Sequence, residues 1–116
     1  MIYVFDIDGT LCTKDKDSDY EQSTPIEERI DVVNYLYEQG NTIVMQTARG
    51  MGRHDNNPQK AIEEFYALTA DQLKSWGVKY HMLFLGKPAG DIYVDDKGLR
   101  DEDFFRNEFR PKGMGF

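Results

Sequence analysis

Asp6-Ile7-Asp8-Gly9-Thr10 sets two carboxylates two positions apart, directly after the apolar run Ile2-Tyr3-Val4-Phe5. At the C-terminal end of a short strand, Asp6 would project into a crevice. Gly9 would let the chain turn sharply there, and Thr10 could tie the turn through its hydroxyl. Two acids so placed suit phosphoryl transfer. A DxDG string on its own is equally a surface turn or a calcium-type loop.

Three later features bear on that choice. Thr47 follows the apolar strand Ile43-Val44-Met45, Lys87 sits in Gly86-Lys87-Pro88, and Asp95-Asp96 ends the run Ile92-Tyr93-Val94. Singly, the threonine and the lysine are weak signals, because a lysine before a proline is usually an ordinary surface residue. In the order Asp-x-Asp-Gly-Thr, Thr, Lys, Asp-Asp, with three of the four abutting a predicted strand end, they resemble the four motifs of the haloacid dehalogenase (HAD) superfamily of phosphatases. The resemblance runs from Ile2 to about Gly98.

The resemblance implies a division of labour. Asp6 would attack phosphorus and become an aspartyl phosphate, while Asp8 would protonate the leaving alkoxide and then activate water, for which it must hold a proton at working pH. Asp6, the backbone carbonyl of Asp8 and Asp96 would hold Mg2+, with Asp95 in the outer shell; few and oxygen-only ligands suit magnesium better than zinc. Read without the resemblance, two adjacent acids after a strand are a solvated turn. The Thr47 hydroxyl and the Ala48 amide would bind the phosphoryl oxygens, and Lys87 would balance the charge gathered at Asp6 and the phosphate. Arg49 lies outside the minimal pattern: it could fork onto phosphate or a substrate carboxylate, or form a surface ion pair. His54, in one loop with Arg53, is a further candidate for substrate contact.

These residues need strands to carry them. The pattern predicts a first strand over 2–5 and a polar loop from Thr13 to Ser23. Thr24-Pro25-Ile26-Glu27 then starts a helix with an N-cap, a first-turn proline and an acid. Ile26, Ile30, Val33 and Tyr37 recur at helical spacing up to Gly40. A second strand spans Thr42 to Gln46, a loop covers Met51 to Asn57, and a helix runs from Pro58 to Trp76 with Ile62, Phe65, Leu73 and Trp76 inward. Strands three and four are expected at about Lys79 to Leu85 and Asp91 to Val94. Alternating strands and helices imply an α/β fold with a parallel sheet covered on both faces. The resemblance makes it a Rossmann-like, doubly wound, three-layer α/β/α sheet of order 3-2-1-4, placing Asp6 at the switch point. The tail from Asp101 remains open: Phe104, Phe105 and Phe109 could close onto the sheet or onto a second subunit.

With 116 residues, the chain is expected to form a single domain over 1–116, too short for a catalytic unit plus a globular lid. Its 14 basic and 21 acidic residues give a net charge of -7, and the pI is about 4.7, so nucleic acid is a poor partner. A chain opening directly in a strand, without a signal core or a bilayer-spanning apolar run, is expected to be cytoplasmic and off the membrane. Cys12, the only cysteine, excludes an intramolecular disulfide and a cysteine-rich zinc site, and reads as a small buried filler rather than a nucleophile.

The leading expectation is a magnesium-dependent phosphomonoesterase acting on a small phosphorylated metabolite. The insertions that form lids in larger family members are missing, which makes the chain similar to capless members. Thr47-Ala48-Arg49-Gly50 and Tyr93-Val94-Asp95-Asp96-Lys97 resemble small phosphatases encoded with capsule and surface-polysaccharide biosynthesis, whose substrates are phosphorylated sugars or related precursors. The alternatives are a phosphatase of a protein or nucleic-acid end, against which the acidic first loop weighs, and a phospho-aspartate receiver module. A receiver would carry its acidic pair after strand one, the reverse of the order here. A homo-oligomer stays open.

Overall fold

The computed structural model describes residues 1–14 and 19–106. Residues 15–18 of the first loop and Phe109 of the tail lie outside that set. Three parallel strands form the sheet: β1 (Ile2–Phe5), β2 (Thr42–Thr47) and β3 (Met82–Leu85), in the order β1-β2-β3. Two helices connect them, α1 (Glu27–Glu38) after β1 and α2 (Pro58–Ser75) after β2; a single turn, α3 (Asp101–Phe104), follows later. The architecture is a parallel, Rossmann-like α/β sheet.

Strand alternation decides which residues meet the helices. Phe5, Ile43, Met45, Leu83 and Leu85 point to one face and join Ile30, Val33 and Leu36 of α1 and Phe65 and Leu73 of α2 in the core. Both connections step the same way across the sheet, so right-handed crossovers bring both helices to that face. Phe104 and Phe105 close the same core, with rings against Phe5 at 5.5 and 6.1 Å, in accord with the reading that this part of the tail packs on the sheet. The opposite face carries Ile2, Val4, Met82 and Phe84, which are 70, 53, 43 and 55% exposed. The described residues thus make two layers, not the expected three. The reason is topological: β3 leads straight into Gly86-Lys87-Pro88, and among the described residues no helix after it lies across the second face.

Other expectations shift locally. Thr24 is not the helix cap: its amide donates to Thr13 Oγ1 and its carbonyl accepts from Thr13 N, so α1 begins after Ile26. On α2 the buried positions are Ala61, Phe65, Thr69 and Leu73, four residues apart, and this stripe leaves Ile62 43% exposed. Asn57 caps α2 by accepting from Lys60 N, with Pro58 in the first turn and Gly77 at φ 72° past the end.

Among the described residues, the expected fourth strand is not paired. Residues 91–94 are all exposed and make no ladder, and local bonds hold the segment instead. The Tyr93 hydroxyl donates to Pro88 O at 2.6 Å and accepts from Gly90 N at 2.9 Å. Among the described residues, no helix is long and apolar enough to cross a membrane.

The two faces make a direct test. Ile43→Ala, at a fully buried site on the central strand, should cost about 2–5 kcal/mol in urea unfolding. Phe84→Ser on the open face should cost less than about 1 kcal/mol. Equal losses would show that the second face is covered in solution.

Candidate active site

The functional side chains stand where the strands stop. β1 delivers Asp6 and then Asp8, β2 ends on Thr47 and leads into Ala48 and Arg49, and β3 is followed by Gly86 and Lys87. Lys87 N bonds to Thr47 O at 3.2 Å, which ties the third strand's exit to the second's. The three exits surround a crevice of about 270 Å³, lined by Asp6, Asp8, Thr47, Ala48, Arg49 and Lys87. Lys14, Asp19, Tyr20 and Ser23, from the loop between β1 and α1, complete one side of it.

Lys87 Nζ lies 3.7 Å from Asp6 Oδ1 and 4.6 Å from the centre of the Tyr93 ring. The ammonium therefore meets a carboxylate on one side and an aromatic face on the other. Burial pushes the Asp6 carboxyl above its ordinary value of 3.8, against the opposing pull of Lys87. Thr47 is buried, and its hydroxyl oxygen accepts from Arg49 N at 3.1 Å, which leaves the O–H free to donate into the crevice.

Arg49 does not reach solvent with its side chain. Its side chain has no exposed surface, and its Nε and Nη2 fork onto Asp8 Oδ2 and Oδ1 at 2.9 and 3.0 Å. Nη1 donates to Thr69 Oγ1 at 3.2 Å and Gln72 Oε1 at 2.5 Å, and the guanidinium lies over the Tyr20 ring. The expected substrate fork and the surface ion pair both give way to a buried pair with Asp8. Both oxygens of that carboxylate accept a guanidinium N–H, so its plane is set by the arginine. Gly50 completes the turn at φ 77°. A Cβ there would lie 2.6 Å from the Phe65 ring, so only glycine lets α2 approach this loop.

Other expected contributors lie elsewhere. His54 Nε2 is 2.7 Å from Glu64 Oε1, and Arg53 holds the other oxygen of that carboxylate, so His54 belongs to a rim ion-pair cluster rather than to the crevice lining. Asp95 and Asp96 are exposed and do not line the crevice; Asp95 accepts from Lys97 N at 2.7 Å, which holds its carboxyl below the usual range. Among the described residues, no three His, Cys, Asp or Glu side chains are grouped to hold a metal. Of the residues expected around magnesium, Asp6 and Asp8 line the crevice and Asp95 and Asp96 lie outside its lining.

Cys12 is fully buried, and desolvation followed by the nearby Asp8 charge pushes its thiol up to about 12. It fills space beside Asp8 as a thiol, not a thiolate. Sequence reasoning missed Thr69, Gln72 and Tyr93. Thr69 carried a readable signal: it puts a polar group on the buried stripe of α2, where an apolar residue would ordinarily stand.

No family model matches the chain, and no curated protein does. Among solved structures, the crystal structure of an MCSG target from Vibrio cholerae is similar, with a TM-score of 0.81 and 28% identity, covering 89% of this chain and 85% of that one.

The raised Asp6 value carries a sign. A carboxyl that binds its proton more tightly in the folded state adds stability below its unfolded pKa, and that contribution is lost as pH rises through the folded value. At neutral pH the ionised, partly desolvated Asp6 is a cost. Asp6→Asn should therefore raise Tm at pH 7 by about 1–3 °C, and the gain should vanish below about pH 4, where wild-type Asp6 is itself neutral. Thermal unfolding across pH would contradict this if the variant were less stable at pH 7.

Proposed function

We propose that the protein is a phosphomonoesterase of the HAD type, acting in the cytoplasm on a small phosphorylated metabolite, a sugar phosphate or related precursor of surface polysaccharide. One observation carries this reading: Asp6, Asp8, Thr47 and Lys87 line a single crevice beyond the ends of three parallel strands, with Lys87 Nζ 3.7 Å from the Asp6 carboxylate. Open α/β sheets bind ligands in that position.

In this reading Asp6 attacks phosphorus and the ester P–O bond breaks as the new acyl-phosphate bond forms. Asp8 gives its proton to the leaving oxygen. Water then loses a proton to Asp8 and attacks the phosphorus of the aspartyl phosphate, releasing phosphate and restoring Asp6. Thr47 and the Ala48 amide donate to the phosphoryl oxygens, and Lys87 offsets the charge that builds there. A crevice of about 270 Å³ favours a small substrate over a protein or nucleic-acid end. The acidic charge of the chain points the same way.

The remaining elements of the reading stand together. Strand order 3-2-1-4 requires residues 91–94 to pair with the edge of β1, which among the described residues pairs only with β2. That pairing would carry Asp95 and Asp96 to the strand ends beside Asp6, where a magnesium ion would find oxygen ligands.

Hydrolysis of an activated aryl phosphate tests the chemistry, and Asp6→Asn should lower kcat by at least about 1,000-fold. Activity that persists in that variant would sink the assignment. The fourth strand is tested by magnesium: the ion should raise both Tm and activity saturably. Val94→Pro, which would take a donor from the proposed fourth strand, should raise the magnesium requirement by about tenfold or more. Wild-type activity indifferent to a chelator would remove the cation from the proposal and leave the nucleophile in place.

A further inference from the structure

The Arg49 guanidinium has five N–H donors, and its hydrogen bonds within the protein employ four of them: two on Asp8, one on Thr69 and one on Gln72. No fork remains for a substrate anion. The anion that Arg49 recognises is Asp8 itself. A carboxylate turns readily about its terminal torsion, and a bidentate guanidinium sets both its plane and its reach.

The guanidinium is itself fixed from three directions. Thr69 and Gln72 approach from α2, the Tyr20 ring lies 4.8 Å from the guanidinium carbon, and Arg49 N is bonded to Thr47 Oγ1 at 3.1 Å. Gln72 is held at both ends, since its Nε2 donates to Tyr20 O at 2.5 Å while its Oε1 accepts from Arg49. The Tyr20 hydroxyl accepts from Gly50 N at 3.1 Å. A continuous polar chain therefore runs from Asp8 through Arg49 and Gln72 to the 3-10 turn Tyr20–Gln22 on the crevice rim.

We propose that Arg49 is a positioning residue that orients Asp8 for proton transfer, and that Gln72 and Tyr20 hold Arg49 in register with the rim. The role rests on the phosphomonoesterase reading. It makes the rim turn and the proton carrier one mechanical unit, so damage to the support is felt at the chemical step and not in substrate binding.

A kinetic double-mutant cycle with an aryl phosphate tests this. Arg49→Lys keeps the charge and loses the fork; it should lower kcat by about 10- to 100-fold with KM within about threefold of wild type. In an Asp8→Asn background the same change should cost nothing further, because Arg49 acts only through Asp8. Gln72→Met, which leaves the ion pair intact, should lower kcat in the same direction by a smaller factor, and it carries the test if Arg49→Lys does not fold. A raised KM with unchanged kcat in Arg49→Lys or Gln72→Met would overturn the proposal, as would effects that multiply with that of Asp8→Asn. Wild-type protein that hydrolyses no phosphate ester would overturn the phosphomonoesterase reading, and this role with it.

Discussion

A guanidinium with no exposed surface is tolerated only when it is paired and most of its donors are filled. Arg49 meets that condition by forking onto Asp8 and bonding to Thr69 and Gln72, and much of the local architecture follows. The loop after β1 must approach the loop after β2, and α2 must lie close enough to present its polar pair. Gly50 permits that approach, because any larger residue would meet Phe65. The 3-10 turn at Tyr20 is drawn in as well, its ring against the guanidinium and its carbonyl accepting from Gln72 Nε2.

The pair also separates the two carboxylates of the first motif. Asp6 faces Lys87 across 3.7 Å and retains a burial cost that raises its pKa. Asp8, two residues on, is forked by a buried arginine. Two chemically identical side chains thus acquire different surroundings, as the proposed division between nucleophile and proton carrier requires. Lys87 is similarly constrained between Asp6 and Tyr93, so the crevice charges are held in place before any substrate arrives.

The sheet is unusual in leaving one face uncovered among the described residues. Parallel sheets are ordinarily buried on both sides, and the apolar side chains of Ile2, Val4, Met82 and Phe84 show that this face was not built for water alone. The short link from β3 to Lys87 serves the site at the expense of that cover. It brings the lysine straight from the strand end to Asp6, with no intervening helix to pack behind the sheet.

Local patterns in the sequence by themselves determined three strands, two connecting helices and the placing of Asp6, Thr47 and Lys87 at strand ends. Alternation, capping residues and glycine stops act within a few positions of one another, so they are legible along the chain. The partners of Arg49 were decided only in three dimensions: Asp8 lies 41 positions away and Gln72 lies 23, and no local pattern encodes such a meeting. The choice of Ala61 over Ile62 for the core depended likewise on how α2 rotates against β3. Ile92-Tyr93-Val94 reads as a strand because its residues favour one, but a strand exists only where an edge accepts its hydrogen bonds. In this structure local bonds of Tyr93 with Pro88 and Gly90 hold the segment, and Asp95 and Asp96 lie outside the crevice lining.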